Sequence, residues 1–205
     1  MIFGNEIRPS PGLVLCFCTL QVLAAFTSDA RAATVEQWEL EPLMANLAQV
    51  RLVSAHFVER KYLQLLTQPL ETSGTLSYVA PDRFEKITTV PISESVALRG
   101  DSVTGVQRNG DRYSVTLGEH PEIASLVEAI RSTLAGNLPV LERYYTIDFK
   151  GSRAAWQLKL TPRNQAVHEK IDDILIRGTD AILKRVEVHE KDGDRSEMII
   201  TPDGL

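Results

Sequence analysis

Cysteine is almost absent from this sequence. Its two cysteines, Cys16 and Cys18, both lie in an apolar run near the N-terminus. A disulfide framework, a thiolate nucleophile and a cysteine-based metal site are therefore excluded for the rest of the chain. Cys16 is also a poor lipid-attachment site, because the preceding Val14 and Leu15 are bulky where a lipoprotein signal requires small residues.

Long apolar runs are equally scarce. The run from Leu13 to Phe26 covers roughly 14 residues, which is too short for a membrane-spanning helix and typical of a signal peptide. Ala30-Arg31-Ala32 then supplies the small-x-small pattern that signal peptidase reads. We predict a signal peptide over residues 1–32, cleaved after Ala32 or one residue to either side, and a periplasmic protein. A buried N-terminal helix is the weaker interpretation, since a polar, differently patterned domain begins directly afterwards.

The sequence also has no excess of basic residues. The formal net charge is −5 at pH 7, and no block of lysine and arginine occurs. Such a chain is a poor nucleic-acid binder. Residues 33–205, about 170 in number, suit one domain with a sizeable hydrophobic core.

Catalytic and metal-binding motifs are missing as well. There is no nucleophile elbow, phosphate-binding loop, dinucleotide fingerprint or zinc-protease motif, and the four histidines are scattered. Asp172 and Asp173 are adjacent, so on a strand they would point to opposite faces. The acidic stretch from His189 to Asp194 lacks the alternating oxygen ligands of a calcium loop. We therefore expect neither an enzyme nor a bound cofactor or metal.

Two amphipathic helices are present. An apolar stripe at helical spacing follows residue 40 and comprises Leu40, Leu43, Met44, Leu47 and Val50. This helix begins either near Val35, with a kink at Pro42, or at Pro42 itself. A second helix begins at Pro121 and ends near Gly136-Asn137. Its apolar stripe comprises Ile123, Leu126, Val127, Ile130 and Leu134.

The remaining segments alternate with period two, which predicts strands. Ala80-Pro81-Asp82 and Asn109-Gly110 are turn and hairpin signals between them. The predicted strands cover 53–57, 73–78, 84–90, 95–99, 103–108, 113–117, 145–149, 155–160, 171–176, 183–189 and 196–200. We predict an α+β, mainly β fold, in which one strongly curved antiparallel sheet or barrel carries the helices on its concave side.

The inward-facing apolar positions have two interpretations. Either they form a packed core, or they line an apolar cavity, because both require the same periodicity. These positions are Leu43, Met44, Leu47, Phe57, Leu76, Phe84, Ile87, Ile123, Leu126, Ile130, Trp156 and Leu158.

Several short segments, in order along the chain, resemble the LolA outer-membrane lipoprotein carrier family. They are Ser54-Ala55-His56-Phe57-Val58-Glu59, Ala80-Pro81-Asp82-Arg83-Phe84 with Pro91, Gly100-Asp101, Trp156 to Pro162, Ile171 to Ile176 and Asp192-Gly193-Asp194-Arg195-Ser196. The resemblance implies an unclosed antiparallel β-barrel with helices as a lid over an apolar cavity. It implies an acylated lipoprotein or lipid as cargo, with an inner-membrane exporter and an outer-membrane acceptor as candidate partners of a monomeric shuttle. The twelve apolar positions above would then line the cavity, and Phe84 matches an aromatic position that bears on ligand retention.

Two departures from that family indicate a paralogue rather than the standard carrier. Ala80 stands where the family has its lid-latching arginine, and the chain ends at Leu205 without the family's C-terminal extension. The alternative function is a periplasmic module with the same fold that senses lipids and reports to a partner protein. A sensor would form a stable protein complex, whereas a carrier would transfer cargo reversibly.

Overall fold

The structure is a computed structural model, and it describes residues 38–204. All the elements below belong to one compact unit, Val35–Leu205. The predicted signal peptide over residues 1–32 and a helix start at Val35 lie outside the described residues. Among residues 38–204, no helix combines the length and the apolarity needed to cross a membrane.

The unit is built on one antiparallel sheet of eleven strands, which is not closed. The strands follow the order β6-β5-β4-β3-β2-β1-β11-β10-β9-β8-β7, so β6 and β7 form its two edges. Their bounds are β1 Leu52–Tyr62, β2 Leu70–Val79, β3 Arg83–Val90, β4 Glu94–Arg99, β5 Ser102–Val106, β6 Arg112–Thr116, β7 Tyr145–Ser152, β8 Ala155–Pro162, β9 Ile171–Thr179, β10 Ile182–Glu190 and β11 Arg195–Pro202. The mainly β fold class predicted from the sequence is confirmed.

Most of the connections between strands are tight hairpins, and the turns predicted at residues 80–82 and at Asn109-Gly110 are among them. The residues 80–82 join β2 to β3, and Asn109-Gly110 lies in the turn between β5 and β6. In that turn Asn109 Oδ1 accepts a hydrogen bond from the amide of Asp111 at 3.0 Å, and Gly110 has φ of 86°. Such a positive φ is readily adopted by glycine, so the tip can close without strain.

The helices are α1 Leu40–Leu47, α2 Pro121–Leu134, α3 Leu138–Tyr144 and α4 Gln165–His168, with a 3-10 turn Leu117–Glu119 before α2. α1 begins at Leu40, so Pro42 lies within its first turn. Neither a helix start at Pro42 nor a kink there is needed, because the first backbone amides of a helix have no intrahelical acceptor. α2 begins at Pro121 as predicted, and Gly136, with φ of 62°, follows its end.

The largest hydrophobic cluster joins the first and third helices to strands β8, β9 and β10. Leu43 and Leu47 of α1, Leu141 of α3 and Leu158 of β8 are fully buried in it. A separate cluster on the other half of the sheet contains Leu98 of β4, together with Val103 and Leu117. A third cluster comprises Ala55 and Phe57 of β1 and Leu76 of β2, so the core has three parts.

The helix α2 joins the cluster of Leu158 to the cluster of Leu98, and this requires a curved sheet. Val127 packs against the cluster of Leu98, and Ala129 belongs to the cluster that contains Ile174 of β9. The strands β4 and β9 are six steps apart in the strand order. In a flat sheet they would be about 29 Å apart. A helix is only about 10 Å across, so the sheet must wrap around α2.

Candidate functional site

An apolar cavity lies between helix α2 and the inner face of the sheet. Its volume is about 470 Å³, and Ile130 and Leu134 of α2 line it from the helix side. Strands β1, β2, β3, β10 and β11 supply most of the rest of its wall. Its apolar lining residues from these strands include Val53, Ala55, Leu76, Phe84, Val186, Met198 and Ile200.

Two further cavities adjoin the first one along the same helix. One, of about 210 Å³, lies between α2 and strands β2 to β5 and is lined by Phe84, Leu98 and Leu126. The other, of about 310 Å³, is lined by Leu126, Ile174 and Val188. Ile130 borders all three cavities. The space beneath α2 is therefore an extended, mainly apolar groove, with Ile130 where the three cavities meet.

One ion pair is set into the mainly apolar wall. The Lys86 ammonium donates a hydrogen bond to Glu59 Oε2, and it lies 4.8 Å from the centroid of the Phe57 ring. The Glu59 side chain is only 10% exposed. A buried carboxylate of this kind is tolerated only when it is paired, because an unpaired one carries a large desolvation cost. The pair and the cation–π contact thus satisfy the charges in the wall.

Tyr78 is a second polar group in the wall. It borders the two cavities nearest β2 and β3, and its hydroxyl donates to the Pro81 carbonyl at 3.4 Å. Burial raises the pKa of the Tyr78 phenol, while Arg51 opposes and Asp82 reinforces that shift. Tyr78 is therefore neutral at physiological pH and presents a mainly apolar ring to the cavity.

The face of α2 toward β7 is polar, in contrast to its apolar stripe. The Tyr145 hydroxyl donates to the Ser125 carbonyl at 2.7 Å, and burial raises the pKa of that hydroxyl to about 12. Ser125 Oγ also lies 2.7 Å from the Tyr145 hydroxyl. These bonds tie α2 to the first residue of an edge strand.

A second polar contact ties α2 to the hairpin between β4 and β5. Arg131 Nη1 donates to the Gly100 carbonyl at 2.7 Å, and Nη2 pairs with Glu128 Oε1. Ser132 Oγ donates to the other Glu128 oxygen at 2.8 Å. Burial lowers the pKa of Arg131, but the hydrogen bond and charge of Glu128 outweigh burial, so the net shift is upward. We call Arg131, Glu128 and the Gly100 carbonyl the α2 latch.

The structure brings four of the twelve sequence-predicted site residues to the cavities. They are Leu76, Phe84, Leu126 and Ile130. Six others lie in packed clusters rather than on a cavity wall. They are Leu43, Met44, Leu47, Trp156 and Leu158 in the largest cluster, and Ile123 beside Leu98. Phe57 is buried in the cluster of Ala55 and Leu76.

Ile87 does not reach the cavity, which corrects the expectation from the sequence. It is 37% exposed, and it lies on β3 between Lys86 and Thr88. Successive strand residues point to opposite faces, so the inward positions of β3 are those of Phe84 and Lys86. The apolar character of Ile87 led to the wrong prediction that it faces the cavity. Counting every second residue from Phe84 correctly places Lys86 on the inner face and Ile87 on the outer one.

Trp156 illustrates why several inward residues pack instead of lining space. A Cβ placed on Gly178 would come within 2.3 Å of Trp156 Cζ2, so the ring lies directly against that glycine. Its Nε1 donates to the Asp180 carbonyl at 2.8 Å. The indole therefore fills this end of the sheet, and the free space is left beneath α2.

Sequence reasoning missed the polar wall residues Glu59, Lys86 and Tyr78, together with Met198 and Ile200 of the last strand. The alternation of side chains along each strand could have shown that Glu59 and Lys86 face inward. Glu59 shares a face with Ala55 and Phe57, and Lys86 shares one with Phe84. Within residues 38–204, no group of histidine, cysteine, aspartate or glutamate side chains is arranged to hold a metal ion.

The described part of the chain is thus an unclosed antiparallel sheet wrapped around a helix, with a mainly apolar groove between them. The chain belongs to the family described as outer membrane lipoprotein carrier protein LolA-like, whose sequence model matches residues 32–202. The members of this family are carrier or binding proteins that are periplasmic or secreted. No curated protein matches the chain in sequence.

Solved structures similar to this chain are distant in sequence. A LolA superfamily protein from Nitrosomonas europaea is 8% identical, with a TM-score of 0.41 over 80% of this chain and 92% of its own. A DUF1329 family protein from Desulfovibrio piger is 10% identical, with a TM-score of 0.43 over 81% of this chain and 92% of its own. The MucA/MucB complex of Pseudomonas aeruginosa gives 12% identity and a TM-score of 0.42 over 79% of this chain. This chain spans only 54% of the matched chain in that complex.

Proposed function

We propose that this protein is a periplasmic carrier that binds the acyl chains of lipoproteins or lipids in the groove beneath α2 and moves them toward the outer membrane. The observation that carries the proposal is the apolar cavity of about 470 Å³ between α2 and the sheet. Sites for small ligands typically occupy about 300–1,000 Å³ and have mostly apolar walls.

The energetics of acyl chains explain why a carrier needs such a groove. Each buried methylene favours an apolar site by about 0.8 kcal/mol, so a sixteen-carbon chain gains on the order of 10 kcal/mol before the cost of binding. A membrane retains such a chain just as strongly. A protein that moves it must offer a comparable apolar surface, and Phe84, Ile130 and Met198 provide part of that surface.

The polar groups in the wall are consistent with an apolar ligand. Glu59 and Lys86 satisfy each other, and Tyr78 donates to Pro81. A ligand in the groove therefore leaves these groups paired. No polar partner from the ligand is required to compensate for their burial.

The position of α2 supports its role as a lid. It covers the groove along its apolar stripe, and the α2 latch fastens it to the β4–β5 hairpin through the Gly100 carbonyl. This contact comes from an arginine on the helix. The residue at position 80, where the resemblance located the family's latching arginine, is an alanine.

The test is binding of a fluorescent acyl probe to two variants that introduce the same charge on different faces. Leu126→Lys changes a residue that borders two of the cavities and is 36% exposed. Ile87→Lys is the matched control, because Ile87 is 37% exposed but faces away from the groove. We expect Leu126→Lys to weaken probe binding at least tenfold, since a lysine beside the acyl chain replaces apolar contact, and Ile87→Lys to bind like the wild type.

Native mass spectrometry of protein purified gently from the periplasm completes the test. An acylated mass on the wild type that is lost in Leu126→Lys supports the carrier and identifies the class of cargo. The mass of the protein also reports whether cleavage occurs after Ala32. A wild type that binds no acyl probe contradicts the proposal, and a stable protein complex in its place favours the sensing module.

A further inference from the structure

The loop between β1 and β2 exposes leucines that no other part of the described chain covers. Leu65 is 97% exposed, Leu66 is 45% exposed, and Leu70 at the start of β2 is 49% exposed. The whole segment 63–70 contains no charged residue. We call this segment the leucine loop. An uncharged group of leucines at the tip of a hairpin is costly in water and marks a contact site.

The leucine loop is held in place by the neighbouring β10–β11 turn. The backbone amide of Gln64 donates to Asp194 Oδ1 at 2.8 Å. The Gln64 side chain packs against Gly193, where an added Cβ would lie 2.1 Å from Gln64 Nε2. Within the loop, the Leu66 amide donates to the Leu63 carbonyl at 2.9 Å. These contacts fix the direction in which Leu65 projects.

The base of the loop includes an aromatic ring and cations of the kind found at a lipid headgroup layer, beside the acidic Asp194 and Glu190. The Arg195 guanidinium stacks on the Tyr62 ring, with Cζ 4.1 Å from its centroid, and Lys61 lies beside them in β1. Arg60 is paired with Glu71 at 2.8 Å. Tyrosine, lysine and arginine favour the boundary between acyl chains and water, where the ring is half apolar and the cations meet phosphate groups.

The loop also adjoins the groove. Leu63 lines the cavity of about 310 Å³, and Lys61 and Arg195 line the same cavity. That cavity shares Ile130 and Val186 with the cavity of about 470 Å³. A surface that meets a bilayer at this point would place the groove beside the acyl chains.

We propose that the leucine loop inserts into the surface of a lipid bilayer and sets the opening beside Leu63 against it, an inference that rests on the proposed function. The partner is the bilayer itself, because an apolar tip with no charge and a base of Tyr62, Lys61 and Arg195 matches the layers of a membrane surface. Leu65 and Leu66 enter the acyl region, whereas Leu70, which is paired with Lys61 in the sheet, stays with the base among the headgroups.

The first test is flotation of the protein from Ala33 onward with phosphatidylcholine vesicles. This portion contains the whole compact unit and omits the predicted signal peptide, whose own apolar run would bind vesicles. We expect Leu65→Asp to lower the bound fraction about tenfold, because one fully exposed leucine no longer enters the acyl region. Val79→Asp is the matched control, since Val79 is 39% exposed at the opposite end of β2, and we expect it to float like the wild type.

The second test places a reporter at the tip of the loop. In Leu65→Trp, we expect brominated phosphatidylcholine to quench the fluorescence of the introduced side chain. The natural tryptophans, Trp38 and Trp156, are only 6% and 2% exposed, so their emission provides the unquenched background. Vesicle binding without quenching at position 65 overturns the inference, since the contact would then lie elsewhere.

Acyl-probe binding in the absence of vesicles separates this inference from the proposed function. We expect Leu65→Asp to bind the probe like the wild type, because its side chain does not line the groove. A wild type that binds the probe but does not float overturns the membrane contact and leaves the carrier standing. A wild type that floats through Leu65 but binds no probe supports the membrane contact and overturns the carrier. Flotation that Leu65→Asp leaves unchanged overturns the inference.

Discussion

The α2 latch makes a quantitative prediction about stability. In Arg131→Met the arginine stem is replaced by an apolar one of similar length, and the Glu128 carboxylate keeps only its bond from Ser132. The Glu128 side chain is 6% exposed and that of Arg131 is 20% exposed. Removing one partner of a buried ion pair costs about 3–5 kcal/mol. Because Arg131 is partly solvated, we expect a loss near the lower end, about 3 kcal/mol.

Such a loss is a large fraction of the stability of a domain, which is about 5–15 kcal/mol. Urea unfolding at pH 7, followed by tryptophan fluorescence, measures it directly. With a urea dependence of about 1–3 kcal/mol per molar, the midpoint shifts down by about 1–3 M. Trp38 and Trp156 are both buried, so their emission reports the loss of the core.

The double variant Arg131→Met/Glu128→Leu distinguishes an unpaired charge from a general loss of packing. Replacing both partners of a buried pair by apolar residues is often neutral or stabilising. We expect the double variant to lie within about 1 kcal/mol of the wild type. A single variant that loses less than about 1 kcal/mol, or a double variant as unstable as the single one, would refute this account of the latch.

Three further predictions concern the anchors of the helices. Tyr145→Phe loses the hydrogen bond to the Ser125 carbonyl, at a cost of about 1 kcal/mol at pH 8. The raised pKa of about 12 means that the wild type loses stability relative to Tyr145→Phe as the pH rises from 10 toward 12, by about 2 kcal/mol at pH 11.5. Its advantage of about 1 kcal/mol should therefore vanish and then reverse in urea unfolding between about pH 9 and 11.5, and a constant advantage would contradict this prediction. Gly136→Ala should lower the melting temperature by several degrees, since the new Cβ would lie 2.1 Å from the Met44 carbonyl oxygen and φ there is 62°; an unchanged melting temperature would contradict it. Asn137→Ala should cost about 1 kcal/mol, because Asn137 Oδ1 accepts from the first turn of α3, whereas Asn137→Asp should retain the cap and the stability.

The elements with strong local signals could be predicted from the sequence. Pro121 and Gly136 enclose α2, and Asn109-Gly110 marks a hairpin, because these residues act through their own backbone geometry. The alternation that predicted β1 covers only Val53 to Phe57, but the strand continues to Tyr62. Its polar second half is stabilised by pairing with β2 on one side and β11 on the other, which no local pattern reveals.

The candidate site was predicted only in part for a related reason. The pairing of Glu59 with Lys86 depends on β1 and β3 flanking β2, and that register is a property of the whole sheet. The same inward periodicity gave Leu158, which is fully buried in the core, and Phe84, which lines the cavity. Whether an inward residue packs or lines space depends on which helix lies above it. α4 was missed because a helix of one turn, Gln165–His168, is too short to show a period.

The placement of α2 between the two edges of the sheet has a mechanical consequence. The segment 117–144 leaves β6 at Thr116 and enters β7 at Tyr145, with no slack linker at either strand. A lid attached to the sheet at one end could rotate away from it. The segment 117–144 is attached to a strand at both ends, so it can only bend or shift. In the proposed carrier, space for a bulky ligand would then come from movement of the two strands, β6 and β7, to which the segment is attached. We therefore expect the distance between β6 and β7 and the volume beneath α2 to change together when the proposed ligand binds.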